Sequence, residues 1–428
     1  MPFPFFLAYA AALLKKQDFE VRLIDAIAEG LGENLFLTKV EDFRPDLMVV
    51  ETSTVSLHDD LDFIKKIDTR IPIVLCGPDV NIQKEEFLKE HSRIAYVLCG
   101  EYEYTLSELA LALKNSGGLE KIQGLNFRKA NGEICVTPPR PLIGNLDNLP
   151  WPMRDGLPMD KYLDVPGEMP LPSVQIISSR GCPYGCTFCL WPQVMYGGRN
   201  YRVRSPNDVV DEMEYLVKVM KFRSIYFDDD TFGIDKKWLA AFIEELKKRN
   251  DENRINVAWA IMTRPDIITE ESLAKMRSAG LCAVKYGVES ANQELINRSG
   301  KNLDLKEAKR IIRLTSRLGI RPHLTFMFGL PGETRKTIRE TIRFAMEMNP
   351  FTMQFSIATP FPGTAYFEEL AKKGFIVSQD WAEYDGSNKA VFKMDNLSRK
   401  NLEAAKEWAY TRWRWHRFVQ KQIDRIKR

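Results

Sequence analysis

Histidine, net charge and long apolar runs are all scarce in this chain of 428 residues. It has four histidines and a formal net charge of +3, so its overall charge gives no support for binding to nucleic acid. No apolar run approaches the ~20 residues that a membrane-spanning helix needs. The apolar residues 1–10 lack a basic leader and continue into a helical pattern that ends at Lys15 and Lys16, which favours a core helix over a signal peptide.

Cysteine is also infrequent, and it is unevenly distributed. There are seven cysteines, an odd number, and three of them, Cys182, Cys186 and Cys189, lie on one short stretch. This distribution argues for a reduced, cytoplasmic setting rather than a disulfide framework.

The three neighbouring cysteines have CxxxCxxC spacing and follow an apolar run at 174–177 that is typical of a strand. Three thiolates on one loop indicate a metal or an iron–sulfur cluster. A [4Fe-4S] cluster has four irons, so three cysteines leave one iron open for an outside ligand. A structural zinc site would need a fourth ligand nearby, and the next Cys or His is Cys282, which disfavours zinc. Such a cluster is oxygen-labile, so we expect an anaerobic or microaerobic host.

The first part of the chain, residues 1–118, alternates short β-branched runs with helical patterns. Strands are predicted at 20–25, 47–51, 73–76 and 95–99, with helices near 5–16, 57–69, 84–91 and 104–115. Such alternation predicts a doubly wound, Rossmann-like α/β domain, whose ligands bind beyond the carboxyl ends of the strands. The candidate binding residues at these ends are Ser53, Thr54, Gly77, Gly100 and Glu101.

A β-hairpin and a proline-rich linker are predicted over residues 119–172, followed by a second α/β region at 173–364. Its six predicted strands are 174–179, 224–229, 256–262, 283–289, 322–328 and 353–358. Six strand–helix units predict an α/β region with parallel strands, with its site at the carboxyl ends of the strands. Residues 365–428 are predicted to form a loop region and a C-terminal helical tail.

Unusual polar residues and glycines follow these six predicted strands. Three adjacent acids repel each other unless a cation or amine lies among them, although an acidic surface turn is the alternative. An arginine after the third strand could grip a carboxylate, and it could equally be solvated. The candidates, in chain order, are Asp228, Asp229, Asp230, Thr231, Arg264, Glu289, Ser290, Phe328, Gly329 and Leu330.

Cys182–Cys189, with the aromatic Phe188 before the third cysteine, resembles the cluster loop of the radical S-adenosylmethionine (radical SAM) superfamily. Later turns resemble that family's turns in order, from Val174 to Thr364. The six strand–helix units resemble the family's partial (β/α)6 TIM-type barrel. The resemblance implies a [4Fe-4S] cluster and S-adenosylmethionine (SAM). It places the acidic turn at the SAM amino group, Glu289 and Ser290 at the ribose, and the turn at 328–330 at the adenine.

The first domain resembles the cobalamin-binding domain that precedes many radical SAM enzymes, through residues 4–11, 76–78 and 99–103. The family's first strand should precede Pro4, and almost nothing does. A glycine and a histidine of the usual turn are missing at 76–79, and no Asp-x-His-x-x-Gly occurs. We therefore expect any bound cobalamin to lack a histidine lower ligand. A degenerate structural or dimerising module is the alternative.

These resemblances imply an enzyme that cleaves SAM reductively and abstracts hydrogen from an unactivated carbon, for cobalamin-dependent C-methylation. The alternatives are a radical SAM cyclase or oxidase, a methylthiotransferase-like enzyme without cobalamin, and a non-catalytic iron–sulfur or zinc protein. The methylthiotransferase-like alternative is disfavoured, since Cys76 and Cys99 fit buried apolar positions better than a second cluster. Expected partners are a small-molecule, lipid or porphyrin-like substrate and an electron donor such as flavodoxin or ferredoxin, but no nucleic acid.

The tail from residue 398 to 428 has ten basic residues against three acidic ones, with apolar residues at helical spacing. A basic amphipathic helix can lie on an anionic membrane as a peripheral contact. It can equally pack its apolar face on the barrel, and we favour that interpretation.

Overall fold

A computed structural model describes residues 2–386 and 388–426, and the chain divides into two compact units. Unit 1 comprises Met1–Asp164 and Leu190–Val203, and unit 2 comprises Val165–Cys189 and Arg204–Arg428. Unit 1 is therefore built from two separate stretches of the sequence. Within the described residues, no helix has both the length and the apolar character needed to cross a membrane.

Unit 1 contains one five-stranded sheet. Its strands are β1 (Met48–Glu51), β2 (Ile73–Cys76), β3 (Ile94–Leu98), β4 (Leu125–Arg128) and β5 (Ile134–Val136), in that spatial order. β1, β2 and β3 are parallel, whereas β4 and β5 form the predicted antiparallel hairpin at the edge. Every residue of β2 is buried, because helices cover both faces of the sheet.

Six helices accompany this sheet: α1 (Phe5–Lys16), α2 (Ala26–Glu29), α3 (Glu33–Phe43), α4 (Leu57–Ile64), α5 (Pro78–Glu90) and α6 (Glu103–Lys114). α5 begins earlier than predicted because Gly77, with a φ of 122°, turns the chain and Pro78 occupies the first helical position. α4 ends at Ile64, several residues before the predicted end.

The prediction of a strand at 20–25 was wrong. Residues 20–25 have no regular structure, and no strand precedes β1 among residues 2–47. The local sequence is β-like, but Asp25 caps α2 by accepting a hydrogen bond from the Ala28 amide at 2.9 Å. Its second oxygen accepts a hydrogen bond from the Tyr162 hydroxyl at 3.0 Å. A β-like pattern gives a strand only where another strand is available to pair with it.

Unit 2 is organised around a parallel six-stranded sheet that forms a partial barrel. Its strands are β6 (Ser173–Ile176), β9 (Ser224–Phe227), β10 (Ala258–Thr263), β11 (Leu281–Glu289), β12 (Arg321–Phe328) and β13 (Thr352–Ile357). Two short strands fall between β6 and β9 in the sequence, β7 (Ser179–Arg180) in unit 2 and β8 (Arg202–Val203) in unit 1. The six run β6-β9-β10-β11-β12-β13 in chain order, and each pair is parallel. All six predicted barrel strands are confirmed.

Helices separate these strands, as a βα repeat requires. They are α7 (Pro206–Lys218), α8 (Lys236–Asp251), α9 (Glu270–Ser278), α10 (Gln293–Arg298), α11 (Leu305–Arg317), α12 (Arg335–Met348) and α13 (Ala365–Lys372). The repeat places the carboxyl ends of all six strands at one edge of the sheet, where the candidate residues follow them.

The predicted helical tail is confirmed as α14 (Arg399–Ile426), while residues 427 and 428 lie outside the described part of the chain. Leu402, Ala405 and Ala409 are buried, and the Tyr410 hydroxyl donates to the Phe355 carbonyl oxygen at 3.1 Å. The first half of α14 therefore packs on the barrel, as the sequence favoured.

Candidate functional site

The cluster loop leaves β6 through a buried hydrogen-bonded corner. Asp229 accepts hydrogen bonds from the Ser178 amide at 3.1 Å and the Ser178 hydroxyl at 2.8 Å, and it also accepts one from the Ser179 hydroxyl. Burial raises the pKa of Asp229 to about 6, although these hydrogen bonds favour the ionised form. The contacts of Asp229 thus fix the start of the loop.

The other residues of the acidic turn lie along the loop. Asp230 accepts a hydrogen bond from the Gly181 amide at 2.9 Å, and the Thr231 hydroxyl lies 3.5 Å from the Cys182 sulfur. Asp228 is partly exposed, and its amide donates to the Ile176 carbonyl oxygen at 2.9 Å. The three adjacent acids therefore have different environments, and Asp229 is the most deeply buried of them.

A second turn, residues 299–301, holds the loop from the other side. The Thr187 amide donates to the Ser299 carbonyl oxygen at 2.8 Å, and the Tyr366 amide donates to the Thr187 carbonyl oxygen at 3.0 Å. Gly300 has a φ of 72°, and a Cβ there would lie 2.2 Å from the Gly185 carbonyl oxygen. Glycine is needed here because the two backbones touch.

The three cysteine thiols share one neighbourhood. Burial raises the pKa of Cys189 well above its ordinary value, and Asp230, Cys186 and Cys182 raise it further. Burial also raises the pKa of Cys186, with Cys182 adding to the effect. A bound metal would relieve this cost by stabilising the thiolates. Phe188 is half-buried on the same loop.

No three His, Cys, Asp or Glu side chains in the described residues are arranged to hold one metal ion. Cysteines that bind a [4Fe-4S] cluster each hold a different iron, so they do not converge on a single point. The shared, partly buried neighbourhood of Cys182, Cys186 and Cys189 therefore fits three corners of such a cluster.

Arg264 contacts the cluster loop through a cation–π interaction with Tyr184. Its guanidinium lies 3.8 Å from the Tyr184 ring centroid. It also makes a bidentate pair with Asp266, at 3.0 and 2.7 Å, and donates to the Lys301 carbonyl oxygen at 2.8 Å. These contacts fix the orientation of the Arg264 side chain, and its predicted binding of a SAM carboxylate stays a prediction.

Glu289 and Lys301 form a buried ion pair at the end of β11. The Lys301 ammonium donates to Glu289 Oε1 at 2.8 Å, and the two side chains are 8% and 10% exposed. Glu289 has a φ of 68° and lies at a β-bulge after Gly287. Sequence reasoning missed Lys301, because a lysine beside a glycine in a polar loop ordinarily points to solvent.

The predicted adenine turn is closely packed. Phe328 stacks on Phe355 at 5.6 Å and Leu330 is fully buried. Gly329 has a φ of 93°, and a Cβ there would lie 2.6 Å from the Phe392 ring. Ser290 is also fully buried, with its hydroxyl 3.3 Å from that of Thr341.

Glu333 stabilises this turn. Its carboxylate accepts a hydrogen bond from the Gly329 amide at 3.3 Å and one from the Thr337 hydroxyl. Burial raises the pKa of Glu333 to about 7. The adenine-turn backbone is therefore fixed by a buried carboxyl group.

In unit 1, the candidate residues lie at the carboxyl ends of the three parallel strands. The Thr54 hydroxyl donates to Asp79 Oδ1 at 3.2 Å, and Asp79 Oδ2 is buried without a hydrogen-bond partner in the described residues. A Cβ on Gly77 would lie 2.1 Å from the Thr52 carbonyl oxygen, while Ser53 is exposed. A buried acceptor at this edge fits a ligand that donates hydrogen bonds, as the amide side chains of cobalamin do.

Gly100 and Glu101 contact residues that the sequence did not single out. The Gly100 amide donates to Asn81 Oδ1 at 2.6 Å. Glu101 is 3% exposed and makes a bidentate ion pair with Arg202, at 2.7 and 3.0 Å. Arg202 lies on the stretch 190–203, so Glu101 ties this second stretch of unit 1 to the sheet edge.

A further group at this edge was missed. Glu51 ends β1 and accepts a hydrogen bond from the Tyr102 hydroxyl at 2.9 Å, and burial raises its pKa to about 7. Cys76 ends β2, and burial raises its pKa well above its ordinary value. The Cys76 thiol is a core group, as its apolar context predicted.

Two family models match the chain. The Radical SAM superfamily model matches residues 176–345, and the B12 binding domain model matches residues 3–110. The first match runs from the last residue of β6 through the cluster loop and into α12, and the second covers β1 to β3.

Curated relatives match over most of the chain. An uncharacterized methyltransferase of Pyrococcus horikoshii is 30% identical over 410 residues, covering 95% of this chain and 86% of the relative. The anaerobic magnesium-protoporphyrin IX monomethyl ester cyclase of Rubrivivax gelatinosus is 30% identical over 419 residues, covering 93% and 71% respectively.

Solved structures share the fold. The radical SAM methyltransferase TsrM of Kitasatospora setae, with cobalamin and a [4Fe-4S] cluster bound, superposes with a TM-score of 0.73 at 21% identity, covering 87% of this chain and 72% of that chain. The cobalamin-dependent radical enzyme OxsB superposes with a TM-score of 0.71 at 18% identity, covering 89% and 60%. The two-domain α/β fold class is thereby confirmed. The chain belongs to the radical SAM superfamily, in the group of enzymes that carry a B12-binding domain.

Proposed function

We propose that this enzyme methylates an unactivated carbon of a small-molecule substrate, with cobalamin as the methyl carrier. The observation that carries this proposal is the pairing, in one chain, of a three-cysteine loop at the carboxyl end of a parallel barrel with a matched B12-binding domain. Relatives named methyltransferases support the reaction type.

When bound, the [4Fe-4S] cluster and SAM supply a 5′-deoxyadenosyl radical, and cobalamin supplies the methyl group. Cys182, Cys186 and Cys189 hold the cluster. Asp230 and Thr231 lie beside the loop and receive the SAM amino group, Glu289 receives the ribose hydroxyls, and the Gly329 turn receives the adenine. These residues fix the reacting groups in position and exclude water.

In unit 1, Thr54, Asp79 and the backbone at Gly77 and Gly100 contact the corrinoid or its amide side chains. A bound cobalamin would have no histidine of unit 1 as its lower ligand, since His58 is exposed on α4 and His91 follows α5 at the opposite end of the strands. If no histidine binds the cobalt, labelling histidine with 15N should leave the electron paramagnetic resonance (EPR) spectrum of the cob(II)alamin form of the anaerobic holoenzyme unchanged. A change in the nitrogen hyperfine splitting on this labelling would disprove the assignment.

A porphyrin-like substrate has support from the relatives, because several of them are named for porphyrin-type substrates. A cyclase is the second candidate, because the Rubrivivax relative carries that name. An electron donor of the flavodoxin or ferredoxin type supplies the reducing electron.

The end of α14 supports peripheral contact with an anionic membrane. Trp415 and Phe418 are 63% and 54% exposed, and Arg412, Arg414 and Lys421 are exposed on the same helix. Aromatic and basic side chains on one helix suit the headgroup region. We expect the wild type to sediment with vesicles containing phosphatidylglycerol and a Trp415→Ser/Phe418→Ser variant to stay in solution, whereas Val219→Ser, an exposed apolar change on another surface, has no effect. Equal sedimentation of all three proteins would exclude the membrane contact.

The central experiment uses anaerobically reconstituted protein with SAM and a reductant. Wild type should release 5′-deoxyadenosine and show corrinoid absorbance, and Cys186→Ala should release none. If the two proteins behave alike, the radical SAM proposal fails. Mass spectrometry of extracts from cells with and without the gene then separates the two reactions, because methylation adds one CH2 unit to the product and ring closure by oxidation removes hydrogen.

A further inference from the structure

Lys301 places a buried positive charge beside the cluster loop. Its ammonium group bonds Glu289 Oε1 at 2.8 Å, and its side chain is 8% exposed. The preceding residue, Gly300, lies against the cluster loop, where a Cβ on Gly300 would be 3.7 Å from the Cys186 Cα. Lys301 thus contacts a predicted SAM-binding carboxylate and belongs to a turn that is packed against a predicted cluster ligand.

The backbone around Lys301 holds this charge in place. The Lys301 carbonyl oxygen accepts a hydrogen bond from Arg264 at 2.8 Å, and Arg264 stacks on Tyr184 of the cluster loop. The preceding residue, Gly300, abuts the Gly185 carbonyl oxygen. A charge fixed in this way acts on its surroundings without reorganisation, and burial strengthens its effect.

We propose that Lys301 is a positioning residue with two effects: it fixes the carboxylate of Glu289 through one oxygen, and it raises the one-electron reduction potential of the cluster. This inference rests on the proposed function. The electron comes from the external donor, which is oxidised by one electron, and a nearby positive charge favours its arrival. Glu289 offsets part of this effect, so the two residues act on the potential with opposite signs.

If the Lys301–Glu289 ion pair had only a structural role, its variants would behave differently. Removing either partner of a structural pair destabilises the protein in the same direction. Removing either charge beside a redox centre shifts its potential in opposite directions. At a fixed potential, Lys301→Met should lower the ratio of reduced to oxidised cluster by about tenfold. For a one-electron couple this equals a fall of ~59 mV in the reduction potential of the cluster. Glu289→Gln should raise this ratio.

The experiment is an EPR-monitored redox titration of the reconstituted full-length wild type and four variants. These are Lys301→Met, Glu289→Gln, the double variant and Lys301→Arg. The double variant leaves no unpaired buried charge, so it should fold and give a potential near that of wild type, as should Lys301→Arg. If Lys301→Met binds no iron, the comparison of Glu289→Gln with the double variant still isolates the charge of the lysine.

Iron content is measured first, because a wild type that binds no iron contradicts the proposed function and not this inference in particular. With iron bound, an unchanged potential in Lys301→Met, or shifts of the same sign in Lys301→Met and Glu289→Gln, would overturn the inference. Opposite shifts, with recovery in the double variant, would support it. The affinity for SAM, measured separately, should fall in both single variants.

Discussion

Gly300 offers the sharpest test of how the cluster loop is held. An alanine at this position needs a Cβ 2.2 Å from the Gly185 carbonyl oxygen, whereas side-chain carbons essentially never approach closer than 3.0 Å. One of the two backbones has to move by about 0.8 Å, a displacement large enough to cost up to ~100-fold in rate when it misplaces reacting groups. Gly300→Ala should therefore disturb the loop that carries all three cysteines.

The matched control is Gly319→Ala. Gly319 has a φ of 70°, close to the 72° of Gly300, but no atom lies within 4 Å of its added Cβ. Both alanines pay the left-handed backbone cost of ~1 kcal/mol. For a unit of this size that cost lowers Tm by roughly 2–4 °C. The difference between the two variants therefore reports the contact with Gly185 alone.

The assay is iron content and EPR signal after anaerobic reconstitution, with thermal unfolding measured in parallel. We expect Gly319→Ala to bind iron like wild type and to lose only the few degrees of backbone cost. Gly300→Ala should lose much of its iron or show a changed EPR signal. If both variants bind iron and give identical spectra, the turn at 299–301 does not position the cluster loop.

Two further predictions concern buried carboxyl groups. Because the pKa of Asp229 rises from 3.8 to about 6 on folding, the folded state binds the proton more tightly than the unfolded state does. The free energy of unfolding should therefore fall by up to about 3 kcal/mol as pH rises from 4 to 6. Asp229→Asn should remove this part of the pH dependence, measured by thermal unfolding from pH 4 to 7, and an unchanged pH dependence would contradict the raised pKa of Asp229. Tyr102→Phe removes the hydrogen bond to Glu51, whose pKa is about 7, so it should lower Tm by more at pH 8, where Glu51 is ionised, than at pH 6, and an equal loss at both would count against that pairing.

The strands of the barrel could be predicted because each is a short apolar run followed by a polar turn. The same rule failed at residues 20–25, where the pattern is β-like but Asp25 is used as a helix cap. The sequence pattern of a segment indicates its local preference for β structure, whereas a strand also requires a partner strand that lies far away in the sequence. The start of α5 was misplaced for a local reason, since Gly77 and Pro78 act together.

At the site, the sequence located residues but could not give their directions. Asp228, Asp229 and Asp230 are adjacent, yet Asp229 anchors Ser178 and Ser179 while Asp230 meets the cluster loop. Lys301 carried no signal of its own. Its burial follows from the close approach of Gly300 to Gly185, a contact between segments more than a hundred residues apart.

The assignment of residues 190–203 to unit 1 has a practical consequence for engineering. Met195 belongs to the core of that unit, and Trp191 of the same stretch stacks on Phe6 at 5.1 Å. A fragment that stops at Asp164 would therefore lack part of its own interior, and a chimera that exchanges only the first domain would pair a foreign core with a native insert. A transplantable B12-binding module has to include this second stretch, even though it begins directly after Cys189.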